Sequence, residues 1–394
     1  MQPNLRPADR VLLAVSAGVA VATVYFAQPL LVTIGHDLGI GPGTVGTFVT
    51  VTQAGYALGL FFLVPLGDLL NRRRLIRLQF TLLAGALLLT GLARTPAMLF
   101  LGLAAVGALA VVTQSLVAYG AALSSPTTRG RTVGTITTGI VLGILLARTT
   151  AGIVTDLLGW RAVYLLTCAA CLAITALFTR STGAGRPVPE SQTPLGYAEL
   201  LRSTAGLLQE RGFRQSAVRA FFIFGSFSTL WTSIALPLTE RGLSHSEIGA
   251  FGLIGAAGAL AAGPAGRLAD RERGGLVTVG ASGLLATSWL VTAHPLVGLA
   301  IGAVLLDLAV QAIHVTNQSM IYRPDAGARL IGGYMVFYSL GSATGAIAST
   351  ALYERAGWNA VCLLGAALGL GALVSSVRAA RRTSRASRPC GSCP

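Results

Sequence analysis

An isolated carboxylic acid, Asp307, lies within a long apolar run of the sequence. Gln311, His314 and Gln318 follow it at steps of four, seven and eleven residues, a spacing that places all four on one helix face, with Asn317 beside them. A carboxyl group removed from water favours its neutral form, so it can take up and release a proton as its access to water changes. We predict that Asp307 carries a proton, with His314 as the second candidate. A hydrogen-bonded Asp307 that ties its helix to a neighbour is the structural alternative.

Two arginines also lie in apolar segments. Arg148 lies deep in its segment, where a buried cation needs a carboxylate, an anionic substrate or a path to water. The sequence leaves open whether Asp307 or a substrate supplies that negative charge. Arg219 lies near the end of its segment, and we expect its side chain to reach outward to the polar region.

Further polar and aromatic side chains could line a cavity for a substrate. Besides Arg148, these candidates are Tyr25, Gln28, Gln53, Tyr56, Gln114, Gln311, Asn317, Gln318, Trp231, Tyr334 and Tyr338. A lining that mixes apolar and polar groups suits a drug-sized, partly hydrophobic small molecule. For the aromatic members, packing between helices is the alternative role.

The elements that must position these residues are apolar helices. Of the 394 residues, 53% are hydrophobic and 11% are charged, whereas soluble domains carry roughly 25% charged residues. A stretch of about 20 apolar residues can cross a bilayer as a helix. We predict an all-α integral membrane protein with twelve transmembrane helices. Their predicted bounds are 11–34, 45–66, 75–92, 98–123, 132–157, 162–178, 217–238, 248–265, 276–293, 296–321, 330–352 and 360–377.

The charge pattern fixes the expected orientation. The formal net charge is +15, a sign that nucleic-acid-binding proteins share, but the arginines lie in alternate short loops rather than in one patch. We therefore expect no nucleic-acid partner. Loops rich in arginine stay on the cytoplasmic side, which places both termini in the cytoplasm and the protein in the lipid bilayer of a bacterial inner membrane.

The longest polar segment divides the helices into two sets of six. We predict an N-terminal six-helix bundle at 1–180, a cytoplasmic linker at 181–214, a C-terminal six-helix bundle at 215–377 and a basic cytoplasmic tail at 378–394. Cysteines 390 and 393 lie in that tail, and no second pair accompanies them as a metal or redox site would require. We expect neither a metal nor a cofactor.

Three pairs of markers recur at nearly one offset along the chain. Asp68 and Asp270 each follow the second helix of a half and are 202 residues apart. The dipeptide Gly159-Trp160 recurs as Gly357-Trp358 after 198 residues, and Pro29 recurs as Pro237 after 208. These offsets predict a duplicated six-helix unit, and internal repeats of this kind are typical of secondary transporters.

The loop around the second acid carries a family signature. Gly266-x-Leu-Ala-Asp270-Arg271-x-x-Gly274 resembles the cytoplasmic loop pattern of the major facilitator superfamily, Gly-x-Leu-Ala-Asp-Arg-x-Gly-Arg-Arg. In the first copy, Asp68, Arg72 and Arg73 fit the pattern, while Val64, Leu69 and Asn71 depart from it. The resemblance covers nearly the whole chain and implies two pseudo-symmetric bundles that rock around a central cavity. It also implies that Asp68, Arg72, Arg73, Gly266, Asp270 and Arg271 form a conformational latch.

The flanking residues resemble the drug and metabolite exporters within that superfamily. Gly55-Tyr56-x-x-Gly59 and Pro65-Leu66-Gly67-Asp68 carry this resemblance. It implies a proton-coupled antiporter that acts in efflux and drug resistance, without a cofactor. We expect a monomer that binds protons and a small-molecule substrate.

The fifth helix departs from the exporters' pattern, so a second interpretation stays open. Many proton-coupled exporters have Gly-x-x-x-Gly-Pro-x-x-Gly-Gly there. Gly139 and Gly143 match it, whereas Ile144, Ala147 and Arg148 replace its last three defined residues. Proton-coupled uptake by symport is therefore the alternative function. The sequence has neither an HExxH nor a phosphate-binding GxxxxGK[ST] pattern, so we expect no enzyme; an intramembrane enzyme or a sensor without transport is the remote alternative.

Overall fold

The structure is a computed structural model that describes residues 6–125, 127–181, 196–294, 296–321 and 327–386. These residues form helices connected by short turns, and no strand occurs among them. We number the membrane crossings as spans 1 to 12. The first six spans consist of Pro7–Ala22, Gln28–Leu30 and Leu31–Asp37 (span 1), Pro42–Thr44, Gly46–Phe62 and Val64–Asp68 (span 2), Arg72–Gly91 (span 3), Pro96–Ala110 and Val112–Ala122 (span 4), Arg129–Leu158 (span 5) and Trp160–Ser181 (span 6).

A short amphipathic helix precedes the second set of spans. It consists of Tyr197–Gly206 and Leu207–Gln209. The remaining spans are Arg211–Ser233 and Ala235–Glu240 (span 7), His245–Phe251, Gly252–Gly255 and Ala256–Leu268 (span 8), Gly274–Thr292 (span 9), Leu296–Ile321 (span 10) and Gly327–Ala386 (spans 11 and 12), with Ala269–Arg273 connecting spans 8 and 9.

Within the described residues, nine continuous helical stretches are long and apolar enough to cross a membrane. One of them continues through Gly357, whose φ of 69° and ψ of −168° separate span 11 from span 12. Spans 1 and 8 are each interrupted by turns or by a short 3-10 segment. Adding these two interrupted crossings and the division at Gly357 gives twelve, so the predicted all-α fold with twelve helices is confirmed.

The chain folds into two compact units. The first contains Met1–Thr204 and Ile234–Leu253, and the second contains Ala205–Ser233 and Ile254–Pro394. The segment Ile234–Leu253 comes from the second half of the sequence and yet belongs with the first unit. Its contacts with span 5 explain this and are described below.

Glycines bring spans 1 and 5 together in the first unit and spans 7 and 11 together in the second. A Cβ atom on Gly143 would clash with the backbone of Gly18, and one on Gly345 would clash with the backbone of Gly225. Gly345 follows Gly143 by 202 residues, and Gly225 follows Gly18 by 207. Membrane helices approach closely where small residues face each other, and the repeated contact is the structural counterpart of the internal duplication.

A second repeated contact involves the backbone of Asp307. Span 2 packs through Gly55 on the backbone of Ala104 in span 4, and span 8 packs through Gly258 on the backbone of Asp307 in span 10. Gly258 follows Gly55 by 203 residues, and Asp307 follows Ala104 by the same number. The carboxylate is therefore present in the second unit only, at a position that holds alanine in the first.

Candidate functional site

The carboxylate of Asp307 is buried in the second unit, where only 4% of the residue is exposed. Nε1 of Trp231 donates a hydrogen bond to Oδ1 of Asp307 over 3.0 Å. A Cβ atom at Gly255 would lie 2.8 Å from Oδ2 of Asp307, so glycine at this position leaves room for the second oxygen. Trp231 of span 7 thus holds one oxygen of an acid that span 10 carries, and Gly255 of span 8 lies beside the other.

The glutamines predicted to share a face with Asp307 are half-buried. Gln311 lies one turn further along span 10 and packs against Gly258, where a Cβ atom would lie 3.0 Å from Cγ of Gln311. Gln318 is also half-buried. Asp307 and Gln311 both face span 8, and Gly258 allows span 8 to approach them closely.

His314 lies in an aromatic environment in the second unit. Its Nδ1 forms a hydrogen bond with the hydroxyl group of Tyr334 at 3.1 Å. The ring of Phe224 meets the imidazole edge-on at 5.1 Å between centroids. The ring of Tyr338 packs against Phe224 at a tilt of 58°, with the centroids 3.9 Å apart. Two of the predicted cavity tyrosines, Tyr334 and Tyr338, are therefore packed around His314.

Arg219 is buried inside the second unit, with 1% of the residue exposed. Its Nε donates to Oδ1 of Asn317 over 2.8 Å, and its Nη2 donates to Oγ of Ser216 over 3.0 Å. The expectation that Arg219 reaches outward is therefore wrong. Neutral polar groups on spans 7 and 10 bind its guanidinium within the unit.

Arg148 is likewise buried, in the first unit. Its Nε donates to Oε1 of Gln28 over 2.7 Å, and its guanidinium carbon lies 5.2 Å from the ring centroid of Tyr25, within the range of a cation–π interaction. A Cβ atom at Gly252 would lie 3.0 Å from Cδ of Arg148. Three of the predicted cavity residues, Tyr25, Gln28 and Arg148, thus contact one another.

The remaining candidates of the first unit lie on spans 2 and 4. Tyr56 is buried, and its hydroxyl group interacts with the side chain of Gln114. Gln53 is buried one turn before Tyr56, and its Oε1 has no hydrogen-bond partner among the described residues. These groups add neutral hydrogen-bonding capacity to the unit that carries Arg148.

The first copy of the loop signature contains an ion pair. Nη2 of Arg72 lies 3.2 Å from Oδ1 of Asp68, and Nε of Arg72 donates to the carbonyl of Gly67 over 2.9 Å. Nη2 of Arg73 donates to the carbonyl of Phe178 over 3.1 Å. Arginines bind the terminal carbonyls of helices in this way, so Arg73 ties the start of span 3 to the end of span 6.

The second copy of the signature is described only in part. Gly266 is half-buried and Arg271 is exposed, whereas the side chain of Asp270 lies outside the described residues. The ion pair between the acid and an arginine is therefore observed for the first copy.

Sequence reasoning missed a cluster around His245, which we call the clasp and define as Thr33, Asp156, His245 and Ser246. Oδ1 of Asp156 lies 2.7 Å from Nδ1 of His245, and its Oδ2 accepts a hydrogen bond from the backbone N–H of Ser246 over 2.8 Å. Nε2 of His245 contacts the hydroxyl group of Thr33. An acid of span 5 thus caps the first turn of span 8, an arrangement that the helix dipole favours.

Glycines let the backbone of spans 5 and 8 meet beside the clasp. A Cβ atom at Gly152 would clash with the carbonyl of His245, and Oγ1 of Thr149 donates to the carbonyl of Gly249 over 3.0 Å. One local signal was readable in the sequence. Ser244 and Glu247 form a capping box, which begins span 8 three residues before the predicted bound.

Within the described part of the chain, no group of three or more His, Cys, Asp or Glu side chains could hold a metal ion. Cysteines 168, 171 and 362 are buried free thiols. The arrangement supplies one buried acid with a fixed hydrogen bond, two buried guanidinium groups and several neutral amides and phenols. Such groups can bind a proton and a polar small molecule.

Comparison with known proteins finds similar sequences over nearly the whole chain. A family model described as Major Facilitator Superfamily matches residues 13–323 and 217–390. The chain is 43% identical over 379 residues to "Uncharacterized transporter YgaY" of Escherichia coli O157:H7, covering 94% of this chain and 95% of that protein. It is 35% identical over 381 residues to "Probable transporter SCO4007" of Streptomyces coelicolor, covering 94% and 87%.

Solved structures share the fold at low sequence identity. A crystal structure of a POT family transporter superposes with a TM-score of 0.75 at 13% identity, covering 97% of each chain. At this identity the likeness concerns the fold alone.

Proposed function

The chain belongs to the Major Facilitator Superfamily of membrane transporters, and we propose that it exports a drug or small metabolite in exchange for protons. It is a multi-pass membrane protein that carries a small-molecule substrate. The proposal adds the direction of transport and the coupling ion. It also adds that the substrate crosses by alternating access and leaves chemically unchanged.

The observation that carries the proposal is the environment of Asp307. An ionisable group inside a membrane span is costly and marks an ion or substrate pathway by default. Here the acid is buried, its Oδ1 accepts a hydrogen bond from Trp231, and Gly255 of span 8 lies close to Oδ2. A buried carboxylate at which three spans meet is suited to bind a proton in one state and release it in another.

The two buried arginines support a polar substrate. Arg148 contacts Gln28 and Tyr25 in the first unit, and Arg219 contacts Asn317 in the second. A charge buried inside a membrane protein needs compensation from protein, water or substrate. We therefore assign Arg148, Gln28 and Tyr25 to substrate binding, with Tyr56 and Gln114 as neutral hydrogen-bonding neighbours.

We place the arginine-rich loops and both termini in the cytoplasm of a bacterium, following the charge rule for membrane proteins. Arg129 begins span 5 at that side, so Asp156 at the other end of the span faces outward. The clasp of Asp156 and His245 then holds the outer ends of spans 5 and 8 together. Alternating access requires these ends to separate when the outer side opens. Asp68 and Arg72 form the latch on the inner side, and the protein acts as a monomer.

Proton-coupled uptake is the second candidate, because span 5 carries Arg148 where many exporters have glycine. Both modes use the same buried acid and differ only in the direction of the substrate. Everted membrane vesicles from a strain that overexpresses the chain distinguish them. When the interior of the vesicle is acidic, an antiporter accumulates the substrate inside the vesicle. A symporter driven by the same gradient moves the substrate out of the vesicle.

A susceptibility panel on the overexpressing strain first identifies a transported compound. We then expect its accumulation in everted vesicles to collapse when nigericin, which exchanges protons for potassium, dissipates the pH gradient. Accumulation that persists after collapse of the gradient would refute proton coupling. A compound that binds without any flux would instead favour a sensor.

A further inference from the structure

Arg219 is a buried cation in the second unit with only neutral partners. Among the described residues, its side chain is bound by Oδ1 of Asn317 and Oγ of Ser216, and it takes part in none of the ion pairs found there. By contrast, Arg72 and Arg161 each pair with an aspartate near a span end. A guanidinium carries five donors and a positive charge, and these two acceptors bring no negative charge to it.

The residue that binds Arg219 has an unused donor of its own. Asn317 is fully buried, with 0% exposed, and its Nδ2 has no hydrogen-bond partner among the described residues. The hydroxyl group of Tyr334 interacts with the same side chain, but Nδ2 does not meet the geometry of a hydrogen bond. Leaving a buried donor unpaired is unfavourable, so an unused amide donor on span 10 accompanies a cation on span 7 whose acceptors are neutral.

Because Oδ1 and Nδ2 of Asn317 share one carbon atom, the unused amide lies beside the guanidinium. We propose that Arg219 and Asn317 form a subsite for the carboxylate group of the transported molecule. A carboxylate supplies two acceptor oxygens and matches the planar guanidinium. It also brings a negative charge, which the described partners of Arg219 do not supply. Tyr334, whose hydroxyl group interacts with Asn317 and bonds to His314, lies beside the subsite, and its ring suits an aromatic or aliphatic body.

This inference rests on the proposed transport function and narrows its substrate to organic anions. Arg219 follows Arg211, the first residue of span 7, by eight residues, about 12 Å along a helix. The subsite therefore lies in the part of span 7 near the arginine-rich linker. A transporter alternates between conformations, and a site that is closed in one of them becomes accessible in another.

Thermal unfolding of the full-length protein in detergent tests the subsite without a known substrate. The probes are benzoate and acetate, each compared with its uncharged amide, benzamide or acetamide. A ligand that binds the folded state raises Tm. We expect benzoate or acetate to raise Tm by about 2 °C or more near saturation, and the matched amide to leave it unchanged.

Two substitutions decide whether Arg219 and Asn317 are responsible. Arg219→Gln should abolish the carboxylate shift, whereas Arg355→Gln, at an exposed arginine of the same unit, should retain it. Asn317→Asp keeps the acceptor for Nε and places a carboxylate next to the guanidinium. It should raise Tm without ligand and eliminate the shift, which keeps the test decisive even if Arg219→Gln does not fold.

Equal shifts with carboxylate and amide, a shift that survives in Asn317→Asp, or no shift with either carboxylate would each overturn the subsite. The two proposals can fail separately. If the subsite test fails but the same preparation transports an uncharged compound in response to a pH gradient, the proposed function stands and the subsite is wrong. If the carboxylate shift is present but no transport responds to a pH gradient, the subsite stands and proton coupling is wrong.

Discussion

The indole of Trp231 donates a hydrogen bond to the buried carboxylate of Asp307 over 3.0 Å. The two residues lie 76 positions apart in the sequence, on spans 7 and 10. This hydrogen bond fixes the orientation of one carboxylate oxygen inside the second unit. Trp231 therefore positions the acid that we propose as the proton carrier.

Replacement of Trp231 by phenylalanine keeps an aromatic ring and removes the donor. We expect the rate of transport driven by a pH gradient to fall, because the carboxylate of Asp307 loses the donor that holds its orientation. The measurement is that rate in proteoliposomes. Trp289→Phe is the matched control, since Trp289 is equally buried in the same unit but donates to Ser226. An equal loss of rate in both variants would contradict a specific role for Trp231.

Gly255 is expected to be intolerant of a methyl group. Gly255→Ala places a Cβ atom 2.8 Å from Oδ2 of Asp307, closer than such atoms approach without displacement. Proton-driven transport should fall at least about tenfold, equivalent to roughly 1.4 kcal/mol, while the protein still inserts. Gly283→Ala serves as the control, because nothing lies within 4 Å of a Cβ atom there. Normal transport by Gly255→Ala would show that the close approach of Gly255 to Asp307 is not needed.

The clasp predicts that Asp156→Asn opens the outer end of span 5. The amide cannot accept at both former oxygens, so the bonds to His245 and Ser246 weaken. Thr149→Cys, in a chain without its native cysteines, reports the opening, because Thr149 contacts the carbonyl of Gly249. We expect faster labelling of this cysteine by a membrane-impermeant maleimide applied from outside the cell.

The control for the clasp is Asp37→Asn, at an acid that binds Arg161 and Trp160 instead of span 8. With Asp37→Asn added to the Thr149→Cys reporter chain, the labelling rate at position 149 should equal that of the reporter chain alone. A rate in Asp156→Asn that matches the control would mean that the clasp does not hold the outer end closed.

Asp37 also predicts a dependence of stability on pH. The hydrogen bond from Arg161, at 2.6 Å, lowers the pKa of Asp37 below its ordinary value against the opposing effect of partial burial. A lowered pKa in the folded state means that the pair stabilises the protein above the unfolded pKa of about 3.9 and that this contribution disappears as pH falls through the folded pKa.

The size of that contribution is small, because the side chains of Arg161 and Asp37 are 39% and 42% exposed and exposed pairs contribute at most about 1 kcal/mol. The Tm difference between the parent protein and Asp37→Asn should be constant at neutral pH and vanish in acid. A difference that grows on acidification would contradict the sign.

The sequence predicted the helices well, because an apolar run of 20 residues has few alternatives in a membrane. Asp307 could be found for the same reason, as a lone acid in such a run. The behaviour of Arg219 could not be predicted. Whether an arginine near a span end extends outward depends on neighbours in space, and the neighbour here, Asn317, lies 98 residues away.

The clasp was missed for a related reason. Asp156 and His245 are 89 residues apart, and neither stands out alone, because both lie at ends of spans where polar residues are common. The capping box of Ser244 and Glu247 was the one local sign that a helix begins there. The close contacts of Gly152 and Gly249 depend on two helices meeting, which the spacing of glycines in one helix does not determine.

The central claim is that Asp307 carries the proton, and Asp307→Asn tests it most directly. The measurement is accumulation of an identified substrate in proteoliposomes with and without an imposed pH gradient. We expect Asp307→Asn to keep transport of the substrate down its concentration gradient. We expect it to lose all accumulation driven by the pH gradient. Accumulation at the parent rate in Asp307→Asn would contradict the account.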